Sequence, residues 1–268
     1  MTDTPPLGRL TGVSLGPGDP GLITRAAWGL LTRRDTVWVY PTRSTRTASY
    51  ALAIVTRAGL PPPPHHQPLL FPMTHDADKL QRSWLRAADT VLQLLQDGRD
   101  VLFLVEGDAS TYATFGHLAR TVRALDARIA VEVVAGVNAF AAASATVRQP
   151  LAEQDDTVAI VPAAYGVAAL DRLLADFDTL VLLKVKPLID EVLDWLQARG
   201  LLGGASFIER CGAPDERVFR GDQMLALRGS KVSYLSLMLV RSPHRVRGER
   251  IRGCLKKPSP TAGMESPP

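Results

Sequence analysis

The sequence predicts an α/β protein made of two α/β domains with a cofactor cleft between them. Patterns typical of strands and of helices alternate along most of the chain, as expected of that fold class. Residues 101–105 form an uninterrupted apolar run, which is typical of a strand covered on both faces of a parallel sheet. Several predicted strands end in glycine beside small or polar residues, where open α/β sheets bind ligands. We expect domains over residues 1–126 and 127–243 and a basic, disordered tail over residues 244–268.

Length and composition are those of a soluble globular protein. A chain of 268 residues can form one large domain or two ordinary ones, and 46% hydrophobic with 22% charged residues is a usual balance. Cys211 and Cys254 form neither a CxxC pair nor a disulfide framework, which fits a reducing cytoplasm. The first ten residues contain no apolar stretch of a signal peptide, and no run reaches the length of a membrane span. We therefore expect a cytoplasmic protein with no membrane partner.

Positive charge is concentrated near the end of the chain. The formal net charge is +4, and basic residues crowd residues 241–257. A basic segment can bind nucleic acid, but this one lacks interleaved aromatic residues and continues into a Pro/Ser/Gly-rich end. We expect a solvated tail and no nucleic-acid partner, and the excess charge also favours a polyanionic small molecule.

The first predicted unit is a strand, a turn and a helix. Residues 9–15 form the strand, and the turn that follows has the sequence GPGDPG. Asp19 is placed to cap a helix with Pro20 at its first position, and residues 36–40 form the next strand. The turn matches neither a P-loop nor G-x-G-x-x-G, so we expect a structural turn that also lines a cleft.

The next segment offers little regular pattern. Residues 41–78 are expected to be irregular because prolines fill positions 61–64. His65, His66 and His75 lie near two aspartates, but a proline-rich loop lacks the ordered, closely spaced ligands of a zinc site, so no metal is predicted. Residues 76–96 form a clear helix that stops before Gly98.

The strand at residues 101–105 ends in Glu106, Gly107 and Asp108. Hydroxyls and aromatic rings follow, at Ser110, Thr111, Tyr112 and Phe115. This arrangement suits a ligand with a flat ring and hydrogen-bonding edges, and a plain strand-to-helix turn is the alternative. A helix over residues 115–126 completes the unit.

The second half repeats the alternation. Strands are predicted over residues 129–134, 157–161, 179–185, 205–209, 217–219 and 232–240, and helices over residues 141–146, 167–177 and 187–199. Small residues at AGVNA allow the start of a helix to pack closely against a ligand or against another helix, and both fit the pattern.

The candidate chemistry lies at the strand ends. The chain has no G-x-S-x-G nucleophile turn. Glu106, Asp108 and Glu209 are placed either for acid–base catalysis or for polar anchoring of a ligand. Glycine with small or polar residues recurs at GPGD, EGDAS, AGVNA and ERCG, which indicates a cofactor wrapped by backbone groups.

These motifs resemble those of the tetrapyrrole (class III) S-adenosylmethionine-dependent methyltransferases. The resemblance rests on SLGPGDPGLIT, EGDASTY and AGVNAFAAASA and covers about residues 8–242. Four segments are similar to sequences of the branch of this family that methylates the corrin precursor ring. They are FPMTHD, the helix containing Trp84, EGDASTYATF and YLSLMLV. The resemblance implies a homodimer that binds S-adenosylmethionine and a tetrapyrrole substrate. The chain departs from the family at Ala135 and Ala109, where proline is usual, so the loop at Ala135 is expected to be looser.

The resemblance also implies roles for individual residues. The implied cofactor-binding residues are Pro17, Glu106, Gly107, Asp108, Thr111, Asn138, Ala139, Lys184, Val185, Arg210, Cys211, Gly212 and Ala213. Candidates for substrate binding, chosen by location, are Gly16, Arg43, Arg46, His65, His66 and Lys184. Glu106 and Tyr112 are hypotheses for a catalytic base, although a methyl transfer of this kind does not require one. Three points remain open: which carbon of the ring is methylated, whether the substrate carries cobalt, and whether a protein of this fold methylates RNA instead.

Overall fold

A computed structural model describes residues 6–44, 46–74, 76–163 and 166–243 of the chain. Two five-stranded sheets organise these residues, one in each half of the sequence. His75 and the basic segment over residues 244–268 lie outside the described residues.

The first sheet is entirely parallel. Its strands are β1 (Leu10–Ser14), β2 (Val37–Thr42), β3 (His66–Leu70), β4 (Val101–Val105) and β5 (Val131–Val134), in the order β3-β2-β4-β1-β5. All residues of β1 and β4 are buried, as the apolar run at 101–105 predicts. Because the strands are parallel, the turns after β1 and β4 meet at one edge of the sheet.

Helices cover both faces of this sheet. They are α1 (Arg25–Leu31), α2 (Tyr50–Arg57), α3 (Ala77–Gln96) and α4 (Phe115–Leu125). One core layer lies beneath α3 and α4, and α1 and α2 cover the other. The predicted start of the first helix was wrong: Asp19 caps a short 3₁₀ turn over Pro20–Leu22, and α1 is capped by Thr24.

The prediction that residues 41–78 are irregular was also wrong, because α2 and β3 lie there. The helix α2 is short, with Ser49 as its cap and Ala51, Ile54 and Val55 buried. β3 is an edge strand with one buried residue, and it contains a proline, so it shows neither an apolar run nor an alternation.

The second sheet is mixed. Its strands are β6 (Val158–Pro162), β7 (Thr179–Leu183), β8 (Ala205–Glu209), β9 (Arg217–Arg220) and β10 (Ser236–Arg241), in the order β6-β7-β10-β8-β9. Only the pair β6–β7 is parallel. β10 begins at Ser236, four residues later than predicted, and this shift places residues 233–235 in a loop.

Three helices pack on this sheet: α5 (Ala139–Val147) covers one face, and α6 (Val167–Asp176) and α7 (Ile189–Ala198) cover the other. The predicted boundary between residues 126 and 127 would assign β5 to the C-terminal half, but β5 pairs with β1 of the first sheet. In the described part of the chain, no helix combines the length and apolarity that a membrane span needs.

Candidate active site

Two strand-end turns of the first sheet are joined directly. Gly16 and Gly107 exchange backbone hydrogen bonds, with N···O distances of 3.1 and 2.8 Å. Both have positive φ, +74° and +77°, which favours glycine at these positions. The paired glycines are 91 residues apart in the chain. The motifs GPGD and EGD therefore form one structural unit.

Asp108 holds its own turn together. One carboxylate oxygen accepts hydrogen bonds from the Ser110 amide (2.9 Å), the Ser110 hydroxyl and the Thr111 hydroxyl (3.1 Å). The other accepts a bond of 2.8 Å from the Gly136 amide, 28 residues away. Burial raises the pKa of this carboxyl, but the hydrogen bonds outweigh burial, and the net shift of the pKa is downward. Asp108 is thus an ionised, fully bonded carboxylate.

Glu106 has a contrasting environment. It lines the pocket and is half-buried, and no other residue in the described part of the chain donates a hydrogen bond to its carboxyl. Burial raises its pKa, which its own backbone amide and the charge of Arg43 offset only in part. A carboxyl that resists ionisation at this position suits proton transfer or hydrogen-bond donation.

The AGVNA turn packs against the same unit. A Cβ at Gly136 would stand 2.7 Å from the Gly107 carbonyl oxygen and would collide with Ser14. The Ser14 hydroxyl donates to the Val134 carbonyl (2.5 Å) and accepts from the Ala109 amide (2.8 Å). Asn138 is the N-cap residue of α5, yet its side chain makes no capping hydrogen bond. The Asn138 amide is therefore available to a ligand in the pocket.

The ERCG turn of the second sheet packs against GPGD. A Cβ at Gly18 would stand 2.5 Å from the Cys211 carbonyl oxygen, and one at Gly212 would stand 2.7 Å from the Asp19 amide nitrogen. Glu216 accepts a hydrogen bond of 2.6 Å from the Gly212 amide. Burial, with Glu216 beside it, raises the pKa of the Cys211 thiol to about 12, so this thiol stays protonated and is not a nucleophile.

A pocket of about 650 Å³ lies between the two sheets where these turns meet. This volume is typical of a small-molecule site. The sequence-predicted residues that line it are Pro17, Arg43, Glu106, Gly107, Asp108, Thr111, Tyr112, Asn138, Ala139, Lys184, Arg210 and Cys211. The predicted residues outside its lining are Gly16, Arg46, His65, His66, Val185, Gly212 and Ala213.

The residues outside the lining have other contacts. Val185 is part of the core beneath the second sheet, and Gly212 and Ala213 pack against Gly18. His66 Nδ1 lies 3.0 Å from the Tyr40 hydroxyl. Arg46 is exposed beside Ser44. Cofactor and substrate contacts for these residues stay predictions, without support from the pocket's geometry.

The sequence prediction missed part of the pocket wall. Ser49 and Tyr50, at the start of α2, line the pocket, and so do residues 233–237 around the start of β10. Ser49 could have been found, because a serine before an apolar helical pattern is a common N-cap signal. Tyr234 could not, since the mainly apolar segment VSYLSLMLV favours an earlier strand start.

A sequence signature described as "Tetrapyrrole (Corrin/Porphyrin) Methylases" matches residues 9–223, and the chain belongs to this family. S-adenosylmethionine is the methyl donor of the family, so the predicted cofactor is confirmed.

Three relatives illustrate the similarity. The chain is 32% identical over 219 residues to the cobalamin biosynthesis protein CobIJ of Mycobacterium tuberculosis, covering 79% of this chain and 42% of that protein. It thus spans less than half the length of that relative. It is 33% identical over 212 residues to a precorrin-2 C(20)-methyltransferase of Sinorhizobium sp., covering 76% and 84% of the two chains. It is 30% identical over 213 residues to a cobalt-precorrin-2 C(20)-methyltransferase of Salmonella typhimurium, covering 80% and 88%.

Solved structures share the fold. The methyltransferase CobJ superposes with a TM-score of 0.63 at 19% identity, covering 90% of this chain and 97% of that one. Uroporphyrin-III C-methyl transferase from Thermus thermophilus, complexed with S-adenyl homocysteine, gives 0.57 at 24% identity, covering 87% and 97%. The predicted fold class is confirmed.

The pocket fits S-adenosylmethionine in its chemistry. At Gly107 the space that a Cβ would occupy is open, so a ligand can approach its backbone closely. The Asn138 amide and the Glu106 carboxyl could bond the polar groups of the cofactor, and Leu183, Ile208 and Ala139 contribute apolar surface to the pocket wall. These residues would hold the cofactor between the two sheets.

Proposed function

We propose that this protein transfers a methyl group from S-adenosylmethionine to C20 of precorrin-2, giving precorrin-3A in the synthesis of the corrin ring of cobalamin. The observation that carries the proposal is the pocket between the sheets, in which the EGD, AGVNA and ERCG turns meet. Membership of the family and the names of the relatives support the substrate and the ring position.

The chain contributes position and electrostatics to this reaction. The bound cofactor supplies an electrophilic methyl group on a positively charged sulfur. The paired glycine turns fix the backbone around it, and correct placement of two reactants accounts for a large part of the acceleration in such a transfer. In its ionised form Glu106, made a stronger base by its raised pKa, is our candidate for accepting the C20 proton, and in its protonated form it can orient the ring as a hydrogen-bond donor.

Tyr112 is the second candidate near the reacting centre. Its hydroxyl donates to the Ile160 carbonyl at 3.1 Å, and its ring lies 5.9 Å from the Lys184 amine nitrogen. Because its hydroxyl is occupied by β6, we assign Tyr112 to shaping the pocket and prefer Glu106 for proton transfer. The sequence hypothesis that Tyr112 is the catalytic base stays an untested prediction.

A cobalt-bearing substrate is the second candidate function, favoured by the relative named cobalt-precorrin-2 C(20)-methyltransferase. The two substrates differ at the centre of the ring. No residue of the described pocket wall favours one over the other. Methylation at C11 or C17, or of RNA, has no observation in its favour beyond the shared fold.

The test is an anaerobic incubation of the purified protein with S-adenosylmethionine and freshly prepared precorrin-2, followed by mass spectrometry and location of the added methyl group. We expect one methyl group at C20. A parallel incubation with cobalt-factor II decides between the two substrates. A methyl group at another ring carbon, or none with the cofactor still bound, contradicts the proposal.

We further propose a cytoplasmic homodimer of two-domain subunits that binds no nucleic acid. β5 belongs to the first sheet and α5 packs on the second, which supports a division between the two domains near residue 135. Sedimentation equilibrium at several concentrations tests the oligomeric state, and a mass of one chain throughout contradicts the dimer.

A further inference from the structure

Three pairs of a basic side chain and a tyrosine cross the pocket. The Arg43 guanidinium carbon lies 5.0 Å from the centre of the Tyr234 ring, and that of Arg210 lies 5.2 Å from the centre of the Tyr50 ring. Lys184 and Tyr112 form the third and longest pair, at 5.9 Å. In each pair one residue belongs to the half of the first sheet and the other to the half of the second. All six residues line the pocket.

The pairs differ in whether the positive charge is neutralised. The Arg210 guanidinium donates to the Asp215 carboxylate at 2.7 Å, and this hydrogen bond raises the pKa of Arg210. Within the described ranges, neither Arg43 nor Lys184 forms an ion pair. Arg210 is therefore a structural link, whereas the other two cations keep their charge for a ligand.

Arg43 has the better geometry of the two unpaired cations. Its distance to Tyr234 lies well inside the range of a cation–π contact, while that of Lys184 to Tyr112 lies at the limit. An arginine resting on a ring keeps its planar edge free to bind a carboxylate through two parallel hydrogen bonds. The charge of Arg43 acts on the Glu106 carboxyl and lowers its pKa, but the two side chains form no ion pair within the described residues, so the hydrogen-bonding edge of the guanidinium is left to a ligand.

We propose that Arg43 binds a side-chain carboxylate of the tetrapyrrole and that Tyr234 is a positioning residue, which orients the guanidinium across the cleft. The proposal rests on the proposed function for the identity of the substrate. Carboxylate recognition at this point fixes one edge of the ring relative to the turn at Glu106. Arg43 and Tyr234 thereby determine which polycarboxylate rings the pocket accepts.

The test uses the full-length protein with uroporphyrin III, a stable tetrapyrrole with eight carboxylates, and with its octamethyl ester. Binding is followed by fluorescence titration at fixed salt. For wild type we expect tight binding of the acid and weak binding of the ester. Arg43→Gln should weaken binding of the acid roughly tenfold, the loss of one charged hydrogen-bonded contact at a partly exposed site. Arg82→Gln, an exposed arginine on α3, is the matched control and should leave it unchanged.

Two tyrosine variants test the positioning role. Tyr234→Phe keeps the ring and should bind like wild type, whereas Tyr234→Leu should lose about threefold, as expected for a partly exposed cation–π contact. With precorrin-2, Arg43→Gln should raise KM while the Kd for S-adenosylmethionine stays constant. Arg43→Lys should recover only part of the binding, because a lysine cannot form the paired hydrogen bonds.

Three results would overturn the proposal. They are unchanged binding of the acid by Arg43→Gln, an equal loss in Arg82→Gln, and wild-type binding by Tyr234→Leu. Failure of the proposed function is a separate outcome: in that case wild type methylates no precorrin-2, yet the Arg43-dependent preference for the acid over its ester persists.

Discussion

Glu106 and Asp108 stand two residues apart in one turn and have opposite environments. Asp108 is buried and accepts hydrogen bonds from Ser110, Thr111 and Gly136, which hold its pKa low. Glu106 faces the pocket with no such donors in the described part of the chain, and burial raises its pKa. Sequence analysis treated both as candidate ligand-binding carboxylates. The difference shows that proximity to a strand end does not define a role, since the donors around each carboxyl do.

The contrast also separates the two sides of the site. The Asp108 side is a closed hydrogen-bond network that joins the EGD and AGVNA turns, and its disruption should appear first in stability. The Glu106 side is open to the pocket, and its alteration should appear in pH dependence and in catalysis. Three variants test this separation.

Asp108→Ala should have the largest effect. It leaves the part-buried donors of Ser110, Thr111 and Gly136 without their acceptor, and we expect a loss of about 3 kcal/mol in the free energy of unfolding near neutral pH. Because the folded pKa of Asp108 is lowered, its stabilisation is present above the ordinary aspartate pKa and is lost as the pH falls through the folded value. Urea denaturation across the acid range measures both effects.

Asp89→Ala, an exposed aspartate on α3, is the control and should change stability by less than about 0.5 kcal/mol. A loss in Asp108→Ala no greater than that of the control would contradict the structural role of the Asp108 hydrogen bonds.

Gly136→Ala should have an intermediate effect. The added methyl group meets Ser14 and the Gly107 carbonyl, so the AGVNA turn must move and weaken the bond from Gly136 to Asp108. Overpacking of this kind costs about 2 kcal/mol. Gly29→Ala is the matched control, because nothing lies within 4 Å of its added Cβ and it sits in α1, where alanine is the better helix former.

Chemical denaturation of the two glycine variants and of wild type measures their free energies of unfolding for this comparison. Equal stability changes in Gly136→Ala and Gly29→Ala would contradict the close packing of the turn. The family usually has proline before this glycine, and Ala135 stands there instead. The sequence therefore predicts a looser loop, whereas the contacts of Gly136 fix the turn through its own backbone.

Local patterns in the sequence predicted most elements but not the partners of the site. The run at 101–105 and the periodicity of α3 carry their own signals, because burial on both faces or on one face determines residue type directly. The edge strand β3 has no such signal. The different roles of Glu106 and Asp108 depend on Gly136, 28 residues away, which no local pattern reveals.

The chain motifs did locate the pocket, since the EGD, AGVNA and ERCG turns meet there. The side chains that complete it come from segments whose patterns favour other structures. Residues 49–50 lie in a segment expected to be irregular, and Tyr234 lies in one expected to be strand. Contacts between the two sheets depend on how they pack against each other, which periodicity within one element does not encode.

Glu106→Gln should have the smallest effect on stability. Unlike the two preceding variants, it should be more stable than wild type at neutral pH. Because the folded pKa of Glu106 is raised, the unfolded chain ionises first as the pH rises, and wild type loses stability between the ordinary glutamate pKa and the folded value. Glutamine does not ionise, so the variant should match wild type near pH 4, at about the ordinary glutamate pKa, and exceed it at neutral pH. Glu191→Gln, exposed on α7, should show no such gain. Urea denaturation midpoints of the variant and wild type at the two pH values test this prediction. A variant that is less stable than wild type at neutral pH would make Glu106 a bonded structural carboxylate like Asp108.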